Sequence, residues 1–510
     1  MSFRRVMVAN RGEIAARVIR TCQRLGIEAV LAVSDADRDS LPARLADVTV
    51  RIGPAAAAAS YLNVAAVVNA AVAAGVDAIH PGYGFLSENP RLARACEAAG
   101  IVFIGPSPEV LEAAGDKLAA REHAIAAGLP VLPGGLADGA DDGAGDAALA
   151  ARIGFPVLVK AAGGGGGRGL RVVRDPGQLE RAVAMGSAEA EAAFGDPRVY
   201  LERFVSVGRH VEVQLLGDGE TVIHLGDRDC SVQRRYQKII EEAPAPGLDE
   251  EMREGLRAAA VALGRHLKYQ GLGTVEFLVD TEQNRADQAR EEWGGAGRDG
   301  GGPGGAGRRG FYFLEVNARI QVEHPVTEAV TGLDLVAEQI GVAEGRGVRL
   351  GQDDVLLSGH AIECRINAED PADGFRPSPG SVSEAVFPAG PGIRVDTHVQ
   401  SGSAVPAQYD SLLAKLVAFG ADRGEALARL RGALGRCEIG GVATNVAMLA
   451  ALAEDGEFAA GGVATGYLAR WLAEPGRFAG ETGGLAEPGR FAGETGGVAG
   501  RGGEGGERRG

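Results

Sequence analysis

Apolar residues recur in two rhythms along the chain. Near the N-terminus, short apolar runs alternate with helical stripes. Residues 6–10 form an apolar strand; Ile14, Val18, Ile19 and Cys22 follow at helical spacing, and 28–33 is the next strand. Residues 76–90 then give a strand, a Gly/Pro loop and a helix starting near Asn89, and 101–106 closes the set. Strands and helices alternating at this length predict an open parallel sheet, which gathers ligands at strand C-terminal ends. The loops 10–13 and 80–89 fall there. No GxGxxG follows the first strand, which argues against dinucleotide binding.

From Gly115 the rhythm changes. A helix is predicted from Lys117 to Ala127, and 133–147, rich in Gly, Asp and Ala, reads as a flexible connection. β-type runs follow at 155–173, 199–205, 210–218, 222–247, 273–280 and 311–317. Strict alternation in the last of these predicts that Glu315 and Asn317 share a face with Phe311 and Phe313. Beyond 359 the pattern is mixed, with helices expected around 426–434 and 443–452. Two stretches carry no periodicity: 284–310, mostly Gly, Ala and Arg in its second half, and the tail from 473, in which LAEPGRFAGETGG occurs twice in tandem at 472–484 and 485–497.

Composition narrows the setting. The chain has 510 residues, 45% of them hydrophobic, enough for several cores. A net charge of −16 excludes a basic nucleic-acid footprint. Five scattered cysteines point to a reducing compartment, and no run of eighteen apolar residues occurs, so a cytoplasmic protein without membrane or nucleic-acid partners is expected. Of 52 basic residues only Lys117, Lys160, Lys238, Lys268 and Lys415 are lysines, and three of these fall within the motifs below.

The candidate chemistry centres on 311–324 (FYFLEVNARIQVEH). Strand carboxylates usually lie on solvated faces. Here Glu315 and Asn317 lead directly into Arg319, Gln321, Glu323 and His324, and Glu276 stands on another predicted strand among core residues. Glu276, Glu315 and Asn317 supply hard oxygen donors suited to Mg²⁺, while zinc-type Cys/His spacing is missing. Gly163–Gly167, five glycines in a row, lie between strands and are flanked by Lys160 and Arg168. Such a loop lets backbone N–H groups approach phosphates, though a linker in a Gly-rich chain would look similar, and the Walker arrangement is absent. Gln233, Arg234, Arg235, Gln237 and Lys238 crowd donors into six residues.

Six ordered motifs, 10–14 (NRGEI), 80–89 (HPGYGFLSEN), the glycine run with Lys160, 233–247, 317–327 and 363–370 (ECRINAED), resemble biotin carboxylase, the ATP-grasp component of biotin-dependent carboxylases, over about 5–472. The resemblance implies an α/β and α+β fold in three parts: an open parallel α/β domain at 1–114, an ATP-grasp domain at 115–350 with a glycine-rich lid at about 131–204, and a mixed α+β domain at 351–472. It implies nucleotide contacts from Lys117, Lys160, Gly165, Gly166, Gly167, Glu202, Arg203, Phe204, Val205, His210, Gln233, Glu276 and Glu315. The implied Mg²⁺ or Mn²⁺ ligands are Glu276, Glu315 and Asn317. Lys238, Arg319, Gln321 and Val322 match the bicarbonate pocket, Glu323 its base and Arg365 the biotin-binding arginine. Tyr236 departs from the family, many members of which carry His.

The implied reaction is ATP- and bicarbonate-dependent carboxylation of biotin through carboxyphosphate, the first half-reaction of an acyl-CoA carboxylase such as that serving acetyl-CoA and fatty acid synthesis. No Ala-Met-Lys-Met biotin-attachment segment occurs, so biotin is expected on a separate carrier protein, with carboxyltransferase subunits as further partners and a homodimer as the implied assembly. A different ATP-grasp ligase joining a carboxylate to an amine, or a non-enzymatic ATP-binding regulatory protein, would lack the Glu323, Arg319 and Arg365 set.

Neither aperiodic stretch can bury enough surface to offset an ordering cost of about 1–2 kcal/mol per residue. Replacing 284–310 by a four-residue turn, or removing the tail, is therefore expected to leave ATP affinity and biotin carboxylation near wild type. Loss of carboxylation in a folded loop-shortened protein would show that the insert touches substrate or carrier.

Overall fold

A computed structural model describes residues 2–137, 144–162, 170–282 and 310–474. The glycine run, the insert up to 309 and the tail from 475 lie outside the described residues. The N-terminal sheet is parallel, as its alternating pattern predicts, in the order Val48–Gly53, Glu28–Ser34, Arg5–Val8, Ala78–His80, Val102–Phe103. Strand order reverses at Arg5–Val8, and the loops leaving it and Ala78–His80 meet at that switch point. Asn10 ties them together, its amide donating to the carbonyls of Pro81 and Tyr83 at 2.7 Å each. The helix Gly12–Arg24 buries the Ile14, Val18, Ile19 and Cys22 stripe, and Asn89 caps the helix Pro90–Ala98.

A four-stranded antiparallel sheet follows, ordered Gly134–Leu136, Val199–Arg203, Val157–Ala161, Arg171–Val173. Its first strand and the helix Ala144–Ile153 occupy much of the stretch expected to be a flexible connection. Glycine here serves close packing: a Cβ on Gly134 would lie 2.7 Å from the Leu201 carbonyl oxygen, and Leu149 and Ala150 bury one side of the helix.

The third sheet has eight strands, all antiparallel: Phe311–Asn317, Gln270–Asp280, Gly208–Asp218, Val222–Arg234, Gln237–Ala243, His360–Asn367, Leu412–Gly420 and Ile393–Thr397. It runs without a break from the strands before residue 350 into the C-terminal part, where Ile240 faces Cys364 and Glu241 faces Glu363. Ile362, Cys364 and Ile366 enter the C-terminal core with Leu430, Met448 and Leu449 of the helices Arg423–Leu434 and Val446–Glu454. Glu363 and Arg365 alternate to the opposite face.

One expectation about this sheet is corrected. Phe313 pairs with Phe277, but Glu315 pairs with Glu276, so Leu314 is an extra residue, a β-bulge. The bulge switches faces. Phe311 and Phe313 join the core, where Phe311 meets Phe277 edge-on at 5.5 Å, while Glu315 and Asn317 turn to the other face beside Glu276.

The joint into the C-terminal strands is sterically narrow. Gly359 has φ +68°, and a Cβ there would lie 2.3 Å from the Gly420 carbonyl oxygen. Gly359→Ala is expected to cost about 1–3 kcal/mol through backbone strain alone, lowering the melting temperature. An unchanged melting curve would show that the joint relaxes.

Candidate active site

Lys238 is the centre of the site. Its ammonium donates to Glu212 Oε2 at 2.6 Å, Glu276 Oε1 at 2.9 Å and Glu323 Oε1 at 2.7 Å. Burial alone would lower its pKa, but the charges of Glu212, Glu276 and Glu323 hold it well above the ordinary lysine value. Glu323 is buried, and burial disfavours its charge; Lys238, Arg365 and Arg228 outweigh that and hold its pKa well below the usual range. Arg365 spans Glu241 and Glu323, with Nε 2.5 Å from Glu241 Oε1 and Nη2 3.0 Å from Glu323 Oε2. Arg228 is fully buried beneath, donating to Glu212 at 2.5 Å, Gln214 at 2.7 Å, Thr327 at 2.9 Å and Thr274 at 3.1 Å.

Past Asn317 the strand ends, and 318–323 forms a loop into the helix His324–Thr331. Arg319 is held from three sides: Nε donates to Glu88 at 2.9 Å, Nη1 to Gln321 at 2.6 Å and Nη2 to Asn317 at 2.8 Å. Glu88 also accepts the Ala318 N–H at 3.0 Å, so the N-terminal loop 80–89 fixes the loop that carries Arg319. The Val322 carbonyl accepts from the buried Lys415 ammonium at 2.8 Å, and Lys415 lies 3.1 Å from Glu13. His324, grouped by sequence with the polar run, is fully buried at the helix start, and burial holds its pKa well below the ordinary value.

The expected cation donors come together across two strands. Glu276 lies opposite Glu315, and Asn317 donates to Glu276 Oε1 at 2.9 Å. Opposed carboxylates repel and gain from a cation between them, which fits a hard divalent ion. The Asn317 oxygen accepts from Arg319, so ligation requires that amide to turn. Two further acidic groupings, His210 with Glu212 and Glu276, and Glu212 with Cys230 and Glu323, are already bridged by Lys238.

Lys117 and Lys160 line one cleft with Glu202 and Tyr200, and Lys160 pairs with Glu202 at 2.8 Å. Burial lowers the Lys117 pKa. His210 approaches Glu276 at 2.7 Å and receives the Gln233 amide at 2.6 Å; burial opposes its charge, but Glu276 prevails and raises its pKa. The Arg203 side chain is not directed with Glu202: it pairs with Asp280 at 3.2 Å and reaches the Tyr312 hydroxyl. Phe204 sits below Arg174, and Val205 packs by Gly208. Gly165, Gly166 and Gly167 lie outside the described residues.

Sequence reasoning missed Glu212, Arg228, Glu241 and Glu363. For Glu212 and Glu363 the signal was alternation with Val211 and Val213, or with Ile362 and Cys364, inside strands that proved covered on both faces; Arg228, between Asp227 and Asp229, and Glu241, beside Glu242, carried no such pattern.

An eight-stranded sheet joined to a four-stranded lid over a lysine-lined cleft defines an ATP-grasp ligase. Three family models match in order: "Biotin carboxylase, N-terminal domain" at 2–111, "Carbamoyl-phosphate synthase L chain, ATP binding domain" at 116–287 and 306–350, and "Biotin carboxylase C-terminal domain" at 363–470. The chain is 48% identical to biotin carboxylase of Pseudomonas aeruginosa, over 92% of this chain and 98% of that one. It is 44% identical to a pyruvate carboxylase subunit of Methanothermobacter thermautotrophicus, over 91% and 89%. Its structure matches a biotin carboxylase complex from Campylobacter jejuni with TM-score 0.84 and 42% identity, covering 92% and 99%. It also matches the biotin carboxylase domain of Hydrogenobacter thermophilus 2-oxoglutarate carboxylase, in complex with MgADP, ADP and bicarbonate, with TM-score 0.83 and 41% identity, covering 92% and 98%. The chain belongs to the biotin carboxylase family and is a ligase that carboxylates biotin with ATP. Among the described residues no helix is long and apolar enough to cross a membrane.

Glu363 is buried, neither of its carboxylate oxygens has a hydrogen-bond partner among the described residues, and burial raises its pKa well above the ordinary value. The folded protein therefore holds this proton at pH values where the unfolded chain has released it, so the group's contribution to stability falls as pH rises above the ordinary carboxylate range. Glu363→Gln abolishes that titration. Its melting temperature relative to wild type is expected to rise between pH 5 and pH 8, by about 2 °C or more; a constant difference in thermal melts at the two pH values refutes the assignment.

Proposed function

We propose that the pocket between Arg319, Lys238, Gln321 and the Val322 backbone receives bicarbonate, and that Glu323 is the base that deprotonates it. The observation supporting this is the sharing of Glu323 between Lys238 and Arg365. In the resting site those cations suppress its basicity. An incoming anion competes for Lys238 and Arg319, and as their charge is drawn to bicarbonate the Glu323 pKa rises toward the value a base requires. The proton passes to Glu323, and the bicarbonate oxygen attacks the γ-phosphorus of ATP with ADP leaving. Lys117 and Lys160 neutralise phosphate charge. Carboxyphosphate then breaks into CO₂ and phosphate; the phosphate takes the biotin ureido N–H proton, and Arg365 stabilises the enolate-like oxygen as the nitrogen attacks CO₂.

Glu276, Glu315 and Asn317 would hold Mg²⁺ or Mn²⁺, which when bound offsets the charge of the nucleotide phosphates. His210, Gln233 and Glu202 face the nucleotide with 203–205, where Arg203 contributes backbone because its side chain is engaged with Asp280. The lid covers the nucleotide, its glycine run supplying backbone N–H groups to the phosphates, and excludes water from the labile intermediate.

Biotin is presented on a separate carrier protein, carboxyltransferase subunits complete the enzyme, the chain works as a homodimer in the cytoplasm, and acetyl-CoA is the final acceptor. Matches to proteins named biotin carboxylase over 98% of their length support this setting. Pyruvate, named by another relative, is the competing acceptor. Assaying acetyl-CoA against pyruvate with the reassembled subunits separates them.

Free biotin is expected to stimulate bicarbonate-dependent ATP cleavage by the wild type. Glu323→Gln keeps size and hydrogen bonding, so nucleotide binding should persist while bicarbonate-dependent turnover falls by about 10² or more. Near-normal turnover removes Glu323 from the mechanism, and ATP cleavage indifferent to bicarbonate removes the reading altogether.

A further inference from the structure

The chain contains eight histidines, and two meet far in sequence from each other and outside the site described above. His123 Nδ1 and His266 Nε2 lie 3.1 Å apart, with ring centroids 5.3 Å apart and planes inclined at 56°. His266 is exposed and His123 half-buried, so solvent reaches the pair. His123 is in the last turn of the helix Lys117–Ala126, and His266 is the last residue of the helix Glu250–His266. Two helix C-termini, each the negative end of its dipole, therefore converge on this spot.

We propose that His123 and His266 form a two-imidazole site for a borderline divalent metal ion of the Zn²⁺ class. Bonds of about 2.0–2.1 Å to zinc place two nitrogens about 3.3 Å apart at a tetrahedral angle and about 2.9 Å at a right angle. The observed 3.1 Å lies between these values. Without metal, one ring holds a proton between the two nitrogens. Binding requires a lone pair on both, so that proton moves to the outer nitrogen of the same ring, and water fills the remaining coordination positions. Both imidazoles stay neutral, as zinc ligation demands.

The placement gives such an ion a mechanical consequence. The first residue of the His123 helix is Lys117, in the nucleotide cleft, and beyond its last turn the chain enters the lid sheet at Gly134–Leu136. The helix ending in His266 packs on the Gly208–Asp218 and Val222–Arg234 strands. A bound ion fastens the lid's root to the sheet that carries Lys238 and Glu276. The imidazole pair is separate from the oxygen donors near Glu276, so the two metal classes do not compete for one position.

The test is calorimetric titration of the full chain with Zn²⁺ in millimolar Mg²⁺, comparing wild type with His123→Ala, His266→Ala and His266→Gln. Glutamine keeps a hydrogen-bonding group of similar reach without an imidazole, so it reports even where an alanine variant folds poorly. Wild type is expected to bind one Zn²⁺ that each variant binds about tenfold or more weakly. Zinc stoichiometry and affinity equal to wild type in any folded single variant overturns the site and leaves the pair a simple hydrogen bond.

Discussion

The structure depends on a lysine surrounded by acid. Three carboxylates converge on the Lys238 ammonium from neighbouring strands and a loop: Glu212, Glu276 and Glu323. Each charge costs free energy to bury, and the group is tolerable only because every member has a partner. Removing the ammonium would strip three buried carboxylates of a shared partner, leaving each with one cationic or imidazole neighbour, Arg228, His210 or Arg365, at a cost of about 3–5 kcal/mol. A core of apolar residues would hold the same strands together more simply. In the mechanism proposed above, what the charged core supplies is a set of cations whose carboxylate partners are exchanged for a substrate anion, so that binding redistributes contacts already present.

That requirement explains the architecture around it. A strand sheet can present such a cluster only if one face is apolar and the other polar, and Ile362, Cys364 and Ile366 against Glu363 and Arg365 achieve this by simple alternation. The strand Phe311–Asn317 cannot, because its aromatic and carboxylate positions have the same parity. The extra residue Leu314 resolves the conflict by turning the polar half of the strand over. Arg319 then begins where the ladder ends, and Glu88 from the N-terminal domain, 231 residues away in the chain, holds it.

Much of this was legible in the sequence, and the gaps have physical causes. The parallel sheet, the helix stripe at Ile14, Val18, Ile19 and Cys22, the helix start near Asn89 and most strands of the large sheet follow from the local pattern of the chain. Glu276, Glu315 and Asn317 group together because adjacent antiparallel strands oppose them. The bulge was not legible, since two versus one residues across a ladder is a property of the pairing. Nor was the strand Gly134–Leu136: its glycines look like linker until Tyr200 and Leu201 are packed against them. Glu212 and Arg228 stood out in no motif, and only the coverage of both sheet faces makes them buried partners at 2.5 Å. The family motifs bridged some of these gaps, but they named positions without the contacts that tune them.

The behaviour of the carboxylates shows why those contacts matter. Glu323, Glu241 and Glu363 are all fully buried around Arg365, yet they are held in different states. Lys238 and Arg365 keep Glu323 ionised; burial raises Glu241 to about 7; Glu363, without a hydrogen-bond partner among the described residues, is pushed well above the ordinary carboxylate value. Arg365 touches the first two, and Glu363 faces Glu241 across the strand pair. Charge withdrawn from Arg365 by a bound ureido oxygen would therefore be felt by Glu241 as well as Glu323, and proton affinity at the two would rise together. Under the proposed roles, the guanidinium that orients biotin thus also links its arrival to the protonation state of Glu323, through contacts of 3.0 Å or less.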